Sequence, residues 1–118
     1  MCGLDFGLIV GAHIYPANAP KSPDKVWNGI ALCYNHHAAF DNHMIWVHPT
    51  KRTISLRNDL LNAARLEPAI KRFVESTFGQ LSSPNRVKAA PRSTMFRKRY
   101  SHYPEHYKWV GKKAKRFK

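Results

Sequence analysis

Three short stretches decide how this chain is read: Ala12-His13-Ile14-Tyr15-Pro16, then Trp27-Asn28-Gly29-Ile30-Ala31-Leu32-Cys33, then Asn35-His36-His37-Ala38-Ala39-Phe40-Asp41. The first sets a histidine at the end of an extended apolar run. The second places an asparagine just ahead of a short apolar strand. The third carries His37 and Asp41 four positions apart, and on a helix positions i and i+4 share one face. An imidazole and a carboxylate on one face suit a divalent ion and do not choose among Mg²⁺, Mn²⁺, Ni²⁺ and Zn²⁺. Histidine's ordinary pKa, about 6.5, suits a base working at neutral pH, which makes His13 a candidate for taking a proton from water.

Working outward, residues 4–14 are apolar with Gly7 and Gly11 interspersed, which predicts a strand over 9–14. Residues 16–23 hold three prolines and read as a loop. A second strand is expected over 29–33, then a short helix over 36–41 capped by Asn35. Residues 44–48 and 52–56 predict a hairpin around Pro49-Thr50. Leu60, Leu61, Ala64, Ile70, Phe73, Val74 and Phe78 recur at helical spacing, so a helix is expected over 59–78, closed by Gly79 and kinked or split at Pro68. From Ser82 onward prolines, serines and basic residues dominate, and little regular structure is expected. The fold class is α+β.

Composition narrows the functional classes. The chain has 118 residues, room for one domain of ordinary size, and 20 Lys+Arg against 7 Asp+Glu give a net charge of +13. Residues 1–85 carry 8 Lys+Arg and 6 Asp+Glu, whereas residues 86–118 carry 12 and 1. Such a concentration of positive charge points to a polyanion as partner. The cations Arg97, Lys98, Arg99, Lys112, Lys113, Lys115 and Arg116 are interleaved with Tyr100, Tyr103, Tyr107 and Trp109, a mixture suited to phosphates and stacked bases. His43 and His48 fall outside the three motifs and read as surface histidines. No apolar run approaches the roughly 20 residues of a membrane-spanning helix. Two cysteines, Cys2 and Cys33, exclude a disulfide-stapled secreted fold, and a cytoplasmic location is expected.

Taken together, A-H-I-x-P, N-G-I-A-L-C and N-H-H-A-A-F-D resemble the HNH endonucleases, in particular their restriction-associated branch, over residues 2–56. The resemblance implies a small ββα-metal, treble-clef-like core, here followed by a hairpin, a helix and a basic, largely irregular C-terminal tail. It implies a division into a nuclease-like unit over 1–80 and a nucleic-acid-binding tail over 81–118. His13 would be the general base, Asn28 would brace the loop and orient His13, and His37 with Asp41 would hold the catalytic ion. Many relatives carry Asp or His just before the base as a further ligand; here that residue is Ala12.

The resemblance also implies a structural zinc site. Cys33-Tyr34-Asn35-His36 supplies one Cys-x-x-His half, and Cys2 is one member of the other. The fourth ligand would precede Met1, so the chain is expected to be an N-terminally shortened form. The implied activity is metal-dependent hydrolysis of DNA phosphodiester bonds. The alternative is a zinc-stabilised DNA-binding module of the same fold that does not cut.

Overall fold

The computed structural model describes residues 1–4, 7–82 and 89–111. Strand β1 (Ile9–His13) pairs antiparallel with β2 (Gly29–Cys33), setting His13 opposite Gly29 and Ile9 opposite Cys33. Helix α1 (Tyr34–Asp41) follows β2 without a connecting residue. Alternation along β1 turns Ala12 into the core and His13 out of it, while Ile14, Ile30, Leu32 and Phe40 close the space between hairpin and helix. This is the expected hairpin-plus-helix order.

The cap of α1 differs from expectation. Asn35 lies inside the helix, and Cys33 is the N-cap, its Sγ accepting the His36 N–H at 3.4 Å. At the other end, His43 takes a left-handed φ of 59°, a conformation that glycine ordinarily supplies. Packing holds it there, since His43 stacks on His106 with ring centroids 4.2 Å apart.

Strands β3 (Ile45–Val47) and β4 (Ile54–Leu56) form a second antiparallel pair, as the sequence predicts. His48 is 7% exposed and not the surface residue expected: its Nδ1 accepts the N–H groups of Thr50 and Lys51 and shapes the turn. Pro68 splits the expected long helix into α2 (Asn58–Ala63) and α3 (Pro68–Ser76). It stands at the first helical position, where no N–H is needed, and so starts α3 instead of kinking it. The helix ends before Gly79, at the cap residue Thr77, whose hydroxyl meets His36 Nε2 at 2.8 Å.

Within the described residues 89–111, the basic segment is largely regular. Residues Ser93–His102 form α4, and Pro104–Val110 a 3₁₀ turn. Met95, Phe96, Tyr100, Tyr107 and Val110 all belong to the central apolar cluster. Met95, Phe96, Arg99, Tyr100 and Tyr103 fall on one helical stripe, which cations at 97 and 98 interrupt in the sequence. Tyr100 seals the joint with β3: its hydroxyl donates to the Val47 carbonyl at 2.6 Å and accepts the Val47 N–H at 2.9 Å. Burial raises its pKa and keeps the phenol protonated. Arg52 adds a tether, donating to the Pro91 carbonyl at 2.6 Å and lying 5.0 Å over Phe96.

Phe96 is fully buried. Replacing it with alanine is expected to cost about 3–5 kcal/mol, the usual range for a core phenylalanine. Urea denaturation of Phe96→Ala against the wild type measures this; a loss under about 1 kcal/mol would mean that α4 is not integral to the core.

Candidate active site and metal centre

Asn28 is fully buried, and all its polar atoms are used. Its Oδ1 accepts the Tyr15 N–H at 2.8 Å, and its Nδ2 donates to the carbonyls of Tyr15 at 3.1 Å and Pro23 at 3.0 Å. Its backbone carbonyl accepts the Ile14 N–H at 3.0 Å. The amide thus fastens the 15–23 loop to the end of the β1–β2 hairpin. It reaches His13 through the backbone and not by a side-chain bond. The partner of the imidazole is Asp24, with His13 Nε2 and Asp24 Oδ1 3.4 Å apart. Asp24 is fully exposed, so the contact has the character of a surface ion pair and adds little stability.

On α1, His37 Nε2 and Asp41 Oδ2 lie 3.1 Å apart, both partly exposed. Two ligand atoms at right angles on one ion, each about 2.1 Å from it, would be separated by about 3.0 Å, so the pair fits a shared divalent cation. Two protein ligands leave most of the coordination sphere to water and substrate oxygens.

Cys2, Cys33 and His36 form a second constellation, with all their ligand atoms within 4.8 Å of one another. Among the described residues, no other three His, Cys, Asp or Glu side chains gather this closely. Both cysteines are free thiols. Cys33 Sγ lies 3.0 Å from His36 Nδ1, while His36 Nε2 is engaged by Thr77 and the ring packs against Phe73 at 4.5 Å. Burial lowers the His36 pKa to about 4, so the ring is neutral and its Nδ1 lone pair is available at pH 7. A hydroxyl on the far nitrogen is the usual outer partner that fixes a ligating imidazole. The donor set suits zinc.

Residues 1–48 match the family model described as HNH endonuclease. Over these residues the chain is similar to the HNH endonucleases. No curated protein and no solved structure matches the chain. The matched residues end at the β3–β4 turn, and α2, α3 and α4 lie beyond them. Metal binding and a nucleic-acid substrate go with the family. Among the described residues no helix is long and apolar enough to cross a membrane.

The expected nucleic-acid contacts divide. Lys98 is exposed, its Nζ 5.6 Å from the centre of the ring of Tyr15, two residues after His13 in the sequence. Arg97 is half-buried. Arg99, by contrast, is 3% exposed and forms part of the interior. Tyr100 and Tyr107 are buried too, so they are packing residues and not stacking platforms. Lys112, Lys113, Lys115 and Arg116 lie outside the described residues.

Sequence reading missed a cluster beside Asp41. The Arg99 Nε–H donates to the Tyr107 hydroxyl at 2.7 Å, which leaves that hydroxyl's own proton to His43 Nδ1 at 3.0 Å. Trp109 Nε1 donates to the His43 carbonyl at 3.1 Å. Burial, then the positive charge of Arg99, lowers the His43 pKa to about 4. The available signal was the helical stripe from Met95 to Tyr103, which would have placed Arg99 facing inward.

Two outcomes are expected. Wild-type protein should take up Co²⁺ or Zn²⁺ with thiolate ligation, visible as sulfur-to-cobalt charge-transfer absorption, and Cys33→Ala should abolish that absorption and lower the melting temperature. An unchanged cobalt spectrum in Cys33→Ala would place the metal elsewhere. The second outcome concerns pH. His43 binds its proton near pH 4 in the folded chain and near 6.5 when unfolded, so its contribution to stability is complete above about 6.5 and is lost as pH falls toward about 4. Melting temperatures of metal-free protein should fall over that window, and His43→Gln should flatten the fall.

Proposed function

We propose that the protein is a metal-dependent DNA endonuclease. The observation that carries this reading is the His37–Asp41 pair on α1, packed against the strand that ends in His13, inside a region matched by the HNH family. His13 takes a proton from a water molecule, whose oxygen attacks the scissile phosphorus. The bond from phosphorus to the 3′ oxygen breaks and that oxygen takes a proton from solvent water, leaving 5′-phosphate and 3′-hydroxyl ends. A divalent ion held by His37 and Asp41 would supply positive charge to the phosphate and the departing oxygen. Asn28 holds the 15–23 loop and the strand end in register, keeping His13 at the surface.

Residues 1–80 supply the chemistry in this reading, and residues 81–118 supply most of the charge that attracts DNA. Lys98, exposed beside the Tyr15 ring, is one cation that would meet a phosphate near the end of β1. The zinc group of Cys2, Cys33 and His36 ties the N-terminus, β2 and α3 together. A cytoplasmic setting and a role in restriction belong to the same proposal.

One observation favours a second reading. Ala12 stands where many relatives carry a further metal ligand, and it is buried in the core. A chain of this fold that binds DNA without cutting it would be compatible with that substitution.

Plasmid nicking decides between them. Supercoiled DNA should be nicked with Mg²⁺, Mn²⁺, Ni²⁺ or Zn²⁺ and left intact with excess chelator. His13→Ala should slow the reaction by about 10²–10⁴-fold, the usual worth of a general base, while DNA binding persists. Lys98→Ala should reduce the log–log salt slope of binding by about 0.9, one phosphate contact. Intact plasmid with every metal, together with tight DNA binding, would establish the non-cutting module.

A further inference from the structure

We propose that Arg99, which lies outside the family match, is a positioning residue that fixes the spacing between His13 and the His37–Asp41 pair; this rests on the endonuclease reading. Its guanidinium is buried, and the partners recorded for it are neutral. Nη1 donates to the Ile14 carbonyl at 3.1 Å, and Nη2 donates to the Phe40 carbonyl at 2.7 Å. Nε is held by the Tyr107 hydroxyl, and the plane lies 3.9 Å from the centre of the Phe40 ring. Ile14 directly follows His13, and Phe40 directly precedes Asp41. A single rigid fork therefore spans the strand end bearing the base and the helix turn bearing the metal ligand.

The energetics favour a geometric role. A buried cation carries a large desolvation cost, and an apolar side chain of similar volume would fill this interior at no such cost. What the guanidinium adds is a planar set of donors at fixed separation, which the single ammonium of lysine cannot reproduce. Ile14 is gripped from both sides: Asn28 accepts its N–H and Arg99 donates to its carbonyl. Phe40 sits in the last turn of α1, where its carbonyl accepts the His43 N–H at 3.1 Å, and Arg99 occupies that oxygen's second lone pair. Small displacements of reacting groups matter greatly, since a misplacement of about 1 Å can cost about 10²-fold in rate.

The test compares variants in nicking assays, with folding followed by circular dichroism and thermal melting. Arg99→Lys keeps the charge and loses the fork. Tyr107→Phe removes only the hydroxyl that holds Nε, and serves as the second probe should Arg99→Lys fail to fold. Tyr100→Phe is the control: it loosens α4 on the β3 side, away from His13 and Asp41. Arg99→Lys should lower kcat by about 10–100-fold with KM for DNA unchanged within about twofold. Tyr107→Phe should lower kcat by a few-fold, and Tyr100→Phe should leave it within about twofold of wild type despite a lower melting temperature. Wild-type kcat in folded Arg99→Lys and Tyr107→Phe, with His13→Ala inactive, overturns the positioning role alone. So does a Tyr100→Phe loss as large as that of Arg99→Lys. Cleavage by His13→Ala at the wild-type rate overturns the underlying reading as well.

Discussion

A hairpin and one short helix cannot bury their own apolar surface, and that shortage shapes everything else in this protein. The β1–β2–α1 unit presents Ile14, Ile30, Leu32 and Phe40 to a side with no cover of its own. The β3–β4 pair supplies part of the cover and α4 the rest, bringing Phe96, Tyr100 and, through the following turn, Tyr107 and Val110. Domains of this size bury a smaller fraction of their surface than larger ones, so each large side chain counts. The Cys2, Cys33 and His36 group, which could hold a metal ion, gathers the chain at the opposite end of the hairpin, where Phe73 and Thr77 of the α3 region lean on the imidazole.

Two arginines follow from the same constraint. Arg99 is buried and Arg52 half-buried, and both donate to backbone carbonyls of distant segments. Each places its guanidinium on an aromatic face of the core. A sequence this basic would be expected to send all its cations to solvent. Here some of them are structural, and the positive charge of Arg99 helps keep the neighbouring His43 neutral.

What was legible in the sequence followed local rules. Short apolar runs gave β1 and β2, the proline gave the break before α3, and four-residue spacing placed His37 and Asp41 together. The family resemblance, through its Cys-x-x-His half-site, anticipated the Cys33–His36 contact. Long-range matters were not legible. Nothing near Asp24 in the sequence announces that it meets His13, and nothing near Arg99 announces two carbonyls from distant elements. Composition also misled over residues 93–110, because counting charges hid an apolar stripe that a helical projection of the same residues displays.

Arg99 meets Ile14 across 85 positions of sequence and Phe40 across 59. Contacts that close such long loops are paid for in chain entropy before they return any stabilisation, and they form late in folding. During synthesis the hairpin and α1 leave the ribosome well ahead of the helix that must cover them. A nascent chain therefore carries every residue of the three motifs while lacking the helix that covers the hairpin, and the packing described above arrives only when α4 docks. Order of synthesis thus separates the appearance of the motif side chains from the closing of the core over them.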